Sequence, residues 1–243
     1  MLTGKTLFNT LLTELNEMGL PGMSATLDEM YRSSDFVELD PLMAIANLVE
    51  PEAVRDTLRL NKMAGAQCPQ ELSNCIDSAE REYLPRGITE TLATLDFIDS
   101  GLNVCILGPS DSGKSYLAKA LGIVACNNYK VEYHHCETLL ETLVALKAQD
   151  YSKYQKRLKK LCGAALLILD DFLLHTITDE REVKVLFEIL EKRCEINLST
   201  IICSQREPAS WSSMILNDEV SANAILKRAT KHYTVVIKPK MTT

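Results

Sequence analysis

Long apolar runs are missing from this 243-residue sequence: the longest, Ala164 to Leu169, is six residues, far short of the roughly 20 a bilayer-spanning helix needs. The first thirty residues carry Lys5, Glu14, Glu17, Asp28 and Glu29 where a secretory leader would have a basic cap and an apolar core. Neither a membrane partner nor a signal peptide is expected. Paired cysteines are missing too. Eight cysteines, at 68, 75, 105, 126, 136, 162, 194 and 203, are scattered through apolar segments with no CxxC and no zinc-type histidine spacing. A reducing, cytoplasmic setting is the reading this favours. Positive charge is short as well: 26 Lys and Arg face 33 Asp and Glu, a net charge of −7, which argues against a surface that coats DNA all over. The deficit is local. Residues 1–100 hold 7 basic against 17 acidic side chains, leaving 19 against 16 for the remainder, so a basic face on the second part is allowed. With 46% hydrophobic and 24% charged residues, the chain is otherwise of ordinary globular composition, long enough for one large domain or two small ones.

Helical periodicity dominates residues 5–63. Leu7, Leu11, Leu12 and Leu15 recur at three-to-four spacing, Pro21-Gly22 breaks the run, and Met23, Leu27 and Met30 resume it. A further helical stretch, Leu42 to Leu60, is split by Pro51. Residues 64–87, with Gly65, Pro69, Ser73, Asn74, Pro85 and Gly87, read as a linker, and Ile88 to Ile98 returns to helical period. From Asn103 short β-rich runs alternate with helical ones, the pattern of a parallel sheet with crossover helices. The expected strands are Asn103–Leu107, Lys130–His134, Ala165–Leu169, Ser199–Cys203 and Tyr233–Ile237, with helices near 114–126, 137–148, 180–195 and 221–231. The expected organisation is a helical N-terminal domain over 1–63, a linker over 64–87 and an α/β domain over 88–243.

Chemistry concentrates where the first of these strands ends. Val104-Cys105-Ile106-Leu107 runs into Gly108-Pro109-Ser110-Asp111-Ser112-Gly113-Lys114-Ser115, and Tyr116 continues as a helix. This is G-x-x-x-x-G-K-[ST] in its strand-loop-helix setting, which a chain this long meets by chance roughly 0.01 times. The glycines let backbone amides turn inward on a phosphate at a helix N-terminus. Lys114 would neutralise β and γ oxygens, and the Ser115 hydroxyl would coordinate Mg²⁺. Asp111 sets a carboxylate in an anion-binding loop, where it repels phosphate unless it points to solvent.

Leu166-Leu167-Ile168-Leu169-Asp170-Asp171 is an apolar strand ending in two acids at the edge where ligands of open α/β sheets collect. Asp170 would hold Mg²⁺ with Ser115, and Asp171 would orient or deprotonate the attacking water; acids after a strand also serve as turn residues and caps. Ser204-Gln205 after Ile201-Ile202-Cys203 reads equally as a γ-phosphate contact or a plain loop start. Arg228 reads as an arginine finger toward a neighbouring subunit or as an ion-paired surface residue. The segment 151–160 carries Lys153, Lys156, Arg157, Lys159 and Lys160 with two tyrosines and no acid, and Lys227, Arg228, Lys231, Lys238 and Lys240 follow in 220–243. Such segments are either phosphate-backbone contacts for double-stranded DNA or solvated basic faces. His134-His135-Cys136 is not read as a metal site, because neighbours on a strand face opposite ways.

These residues also carry a resemblance. Leu20-Pro21-Gly22-Met23, Leu92 to Ile98, Asn103-Val104, Gly108-Pro109, Gly113 to Gly122, Leu167 to Asp171, Ser199 to Gln205, Trp211 and Ala224 to Arg228 occur in the order of the IstB-like, DnaC-related branch of the AAA+ ATPases. The chain resembles that branch over nearly its whole length, and within it the transposition helper ATPases of insertion sequences. The resemblance implies an α/β P-loop fold with a five-stranded parallel sheet and flanking helices, behind a helical N-terminal domain. Only about six residues follow the last expected strand, so no C-terminal lid is expected. It further implies an ATPase that uses ATP and Mg²⁺, forms a homo-oligomer on DNA and directs a transposase to its target. In that role Gly108 to Tyr116 would cradle the nucleotide, Ser115 and Asp170 the metal, and Asp171, Ser204 and Arg228 would be catalytic, Arg228 in trans. The family usually has Gly-Thr where this chain has Asp111-Ser112, often Glu at Asp171, and often an Arg-rich stretch around 55–85 where this chain is acidic.

Two other readings use the same chemistry. A helicase loader would recognise a replicative helicase through residues 1–90, and an ATP-binding switch would turn over little. A small-molecule kinase is disfavoured, because 107 residues precede the P-loop.

Overall fold

The structure is a computed structural model and describes residues 4–17, 20–32, 45, 48, 71–215 and 219–240. The expected helix over Leu42–Leu60, residues 45 and 48 apart, and residues 64–70 of the expected linker lie outside the described residues, while the rest of that linker is not plain connection but holds a short helix, Ser73–Ile76, and a strand, Arg81–Leu84. The chain divides into two units, Met1–Lys62 and Met63–Thr243.

In the first unit, α1 (Gly4–Glu17) and α2 (Pro21–Arg32) form a hairpin. Pro21 sits at the first helical position, where its missing N–H costs nothing. The Phe8 and Tyr31 rings stack at 3.8 Å, and Asn16 donates from Nδ2 to Ser24 Oγ at 2.9 Å.

The second unit is a mixed six-stranded sheet rather than the five-stranded parallel one the sequence suggested. Its order is β1-β6-β2-β5-β4-β3, for β1 (Arg81–Leu84), β2 (Val104–Leu107), β3 (Val131–His135), β4 (Leu166–Asp170), β5 (Ser199–Ser204) and β6 (Tyr233–Pro239). The five expected strands all form and run parallel. The extra strand, β1, is antiparallel to β6 at the edge. Its four residues include Arg81 and Glu82, only Tyr83 is buried, and Pro85 and Gly87 follow, so it lacks the apolar signature of the others. Edge strands need bury little and are often charged. By contrast every residue of β4 and β5 is buried, as expected of strands covered on both faces.

Helices α3 (Ser73–Ile76), α4 (Ile88–Ala93) and α5 (Asp96–Asp99) precede β2. The expected continuous helix over Ile88–Ile98 is broken at Leu95, whose φ is 63°. There the Thr94 hydroxyl accepts the Asp96 N–H at 3.3 Å, a local bond that competes with the helix ladder. Helices α6 (Lys114–Ala125), α7 (Cys136–Gln149), α8 (Tyr151–Cys162), α9 (Glu180–Glu195), α10 (Trp211–Met214) and α11 (Glu219–Ala229) complete the unit. A core of Leu143, Tyr154, Leu161, Phe172, Leu186 and Trp211 lies between α7 to α11 and the β4 side of the sheet.

One buried cation ties these layers together. Arg193 of α9 is 1% exposed. It donates to the carbonyls of Leu161, Cys162, Ala164 and Ser199 and to Thr200 Oγ1, joining the end of α8 to the starts of β4 and β5. Burial pulls its pKa down to about 10. Asn103 does similar work ahead of β2, accepting the Thr200 N–H at 2.9 Å and donating to the Arg228 carbonyl at 2.7 Å.

Candidate nucleotide-binding site

β2 lies between β5 and β6, and the chain leaves it at Leu107 into the glycine-bounded loop. A Cβ on Gly108 would stand 2.9 Å from the Ile237 carbonyl of β6 and 2.6 Å from Ser112 Oγ, so the loop can start this close to the sheet only with glycine. The turn needs left-handed backbone at Asp111 (φ 59°) and Gly113 (φ 96°). Aspartate tolerates that region, and the exposed Asp111 side chain keeps its charge on the solvent side. Gly113 is the N-cap of α6, leaving the first amides of that helix without side-chain partners.

Lys114 is 5% exposed, and its ammonium donates to the Pro109 carbonyl at 2.6 Å. Burial lowers its pKa from the ordinary lysine value, opposed by the charges of Asp170, Asp171 and Asp111. The loop lysine and the two β4 acids therefore share one electrostatic environment. Nearby, Ser112 Oγ is buried without a hydrogen-bond partner. A buried ammonium answered by a carbonyl, an unpartnered buried hydroxyl and the free amides of a helix start together suit a polyphosphate.

Asp170 ends β4 fully buried, and Asp171 follows with φ 52°. Asp170 Oδ1 accepts the Asp171 N–H at 3.0 Å, and Oδ2 accepts the Tyr133 hydroxyl. Burial and that carboxylate push the Tyr133 pKa well up, so the hydroxyl remains a donor. Asp171 Oδ2 is 3.2 Å from His135 Nδ1. Tyr133 and His135 are two apart on β3 and share a face, so one strand supports both acids. With the Ser115 hydroxyl, Asp170 offers the hard oxygen donors a magnesium ion takes. Among the described residues no cluster of three His, Cys, Asp or Glu side chains is arranged for a metal, including His134-His135-Cys136.

Ser204 pairs with Leu107 in the β2–β5 register, beside the loop. Its hydroxyl donates to the Phe172 carbonyl at 2.8 Å and accepts the Arg206 N–H at 3.1 Å. Arg228 lies elsewhere. It pairs with Glu191 of α9, sits 4.9 Å over the Phe187 ring and donates to the Ala224 carbonyl.

The basic segment forms α8, capped by Asp150, which accepts the Lys153 N–H at 3.0 Å. Tyr154, Leu158 and Leu161 are buried, so the cations occupy the other face. Lys153 pairs with Asp150 at 3.2 Å, while Arg157 and Lys160 pair with Glu132 at 3.3 and 3.1 Å. Burial would raise the Glu132 pKa, but His134, Lys160 and Arg157 outweigh it and hold the carboxyl at about 2. Lys156 and Lys159 have no carboxylate partner among the described residues. The expected cluster of five cations therefore presents two unpaired charges.

Against known proteins, the profile of the family described as IstB-like ATP binding protein matches residues 13–240. The chain belongs to this family. It is 38% identical over 226 residues to y4uH of Sinorhizobium fredii (strain NBRC 101917 / NGR234), named as an insertion sequence ATP-binding protein, covering 89% of this chain and 87% of the relative. Among solved structures it is similar to the DnaC helicase loader, with TM-score 0.53 and 20% identity over 67% of this chain and 96% of that one. It is also similar to replication initiator DnaA bound to AMPPCP and single-stranded DNA, with TM-score 0.56 and 19% identity over 70% of this chain and 50% of that one. At these identities the structures show the shared P-loop AAA+ fold.

Three residues of this IstB-like protein reach the site without having been read from the sequence: Tyr133 on Asp170, His135 on Asp171 and, as described below, Arg81 on Gly113. Each depends on which strands are neighbours. The expected strand stops at His134, one residue short of His135, and nothing local shows that β3 lies beside β4.

Proposed function

We propose that this chain is the ATP-hydrolysing transposition helper of an insertion sequence, which assembles on double-stranded DNA and engages a transposase. The observation that carries the reading is the buried Lys114 ammonium, within electrostatic reach of Asp170 and Asp171 at the loop where β2 ends. Support for the client comes from the family and from relatives named for insertion sequences.

In this account residues 108–116 wrap their amides around the phosphates of ATP, and Lys114 exchanges the Pro109 carbonyl for phosphate oxygens. Ser115 and Asp170 would hold a magnesium ion, which would supply positive charge against the phosphates. Tyr133 keeps the Asp170 carboxylate in place. Asp171 takes the proton of the attacking water, with His135 fixing its orientation. Ser204 holds the Phe172 backbone beside the γ-phosphate position. Arg228 serves the nucleotide of a neighbouring copy, exchanging Glu191 for phosphate when copies assemble.

Light scattering of the chain with duplex DNA tests assembly. Growth beyond the monomer is expected with ATP and DNA together, and an unchanged monomer in saturating ATP with DNA contradicts the proposal. Capture of the element's transposase rather than a replicative helicase distinguishes a helper from a loader. On α8, the Lys156→Ala, Lys159→Ala double variant is expected to reduce the slope of log affinity against log salt by about 1.8, two phosphate contacts' worth. Lys153→Ala should change it less, because Asp150 already neutralises that charge. A double variant with the parent's salt slope removes α8 as the DNA contact.

A further inference from the structure

Arg81 opens β1, and its antiparallel register with Pro239 sets the start of β1 beside the end of β6. That is the edge where β2 delivers the loop and β4 delivers Asp170. The side chain turns onto the loop: Nε, Cδ and Cζ of Arg81 lie 3.2 to 3.3 Å from where a Cβ on Gly113 would stand. Tyr116, in the first turn of α6, anchors the preceding segment to the same place. Its hydroxyl accepts the Glu71 N–H at 3.2 Å and Asn74 Nδ2 at 2.9 Å.

This is an unfavourable place for a cation. The N-terminus of α6 carries the positive end of the helix dipole, and the Lys114 ammonium is the next residue. Asp77, Glu80 and Glu82 are close in sequence, yet no carboxylate among the described residues pairs with the Arg81 guanidinium. Three positive features thus converge on one backbone turn. Such an arrangement is relieved by an anion shared among them, and a guanidinium presents forked donors matched to phosphate oxygens.

We propose that Arg81 is a second cationic ligand of the nucleotide, donating from its own subunit to phosphate oxygens of the ATP or ADP held by residues 108–116. The inference rests on the nucleotide-binding reading of that loop. It gives β1 a role in ligand binding beyond closing the sheet edge.

Calorimetric titration of ATP, ADP and adenosine into the full chain, Arg81→Gln and Arg81→Lys tests it. Glutamine keeps a stem over Gly113 and removes the charge; lysine keeps the charge and loses the fork. Arg81→Gln is expected to weaken ATP and ADP about tenfold, with adenosine unchanged, and Arg81→Lys to weaken them less. The difference should shrink as salt rises, and the thermal midpoint without nucleotide should not fall. Parent-like ATP affinity in Arg81→Gln overturns the proposal. So does an equal loss of affinity in both variants that follows a lowered thermal midpoint, which marks a packing role. A parent chain that binds no nucleotide overturns both this proposal and the reading beneath it, whereas loss of the Arg81 effect alone leaves that reading standing.

Discussion

Lys114→Ala is expected to lower ATP affinity by about a hundredfold while leaving the fold as stable as the parent or slightly more so. The affinity loss follows from removing a buried ammonium whose bonds to phosphate are charge-assisted, together about 3 kcal/mol after one hydrogen bond to the Pro109 carbonyl is given up. The second half of the expectation is the more discriminating. Burial lowers the Lys114 pKa, so the folded chain disfavours the charge it holds there. A residue kept for stability would show the opposite balance. Nucleotide titration and thermal unfolding on the same sample check both, and a large drop in midpoint with only modest loss of affinity would make Lys114 a structural residue.

Arg193→Met is expected to destabilise the second unit by about 3 to 5 kcal/mol, among the largest effects a single side chain can have here. Two terms oppose each other. Methionine removes the cost of burying a guanidinium, visible in the pKa drawn down to about 10. It also strips partners from four carbonyls and the Thr200 hydroxyl in a place water does not reach. An unmet buried acceptor costs about 1 to 3 kcal/mol, so several together outweigh relief of one charge. For a unit of this size the midpoint should fall by about 10 °C. Arg193→Lys should recover only part, since three donors from one atom cannot span α8, β4 and β5. A midpoint within 2 °C of the parent in Arg193→Met contradicts the role.

The sequence was most informative where function needs particular residue types side by side. Glycine at 108 and 113, lysine at 114 and a hydroxyl at 115 are required by one turn, so the loop could be read without its surroundings. The β4 run was legible for the same reason, because a strand covered on both faces must be apolar throughout and its polar end then stands out. Edge strand β1 was not, since Arg81 and Glu82 look like linker and its pairing with β6 spans most of the domain. The break at Leu95 depends on a hydroxyl bond to the backbone that periodicity does not register. The basic segment read as uniform charge, yet Glu132, on a different strand, cancels part of it. Arg193 lies in a helix whose last turn also carries Lys192, and only the convergence of α8, β4 and β5 makes it internal. Apart from the Leu95 break, long-range neighbours decided these, and local pattern carries no record of them.

The most direct measurement is calorimetry of the well-folded parent chain with ATP, with and without magnesium, beside Lys114→Ala. The account predicts saturable heat with ATP and ADP, strengthened by magnesium for ATP, and its loss in Lys114→Ala. No heat with either nucleotide, or the same heat in Lys114→Ala, would contradict it.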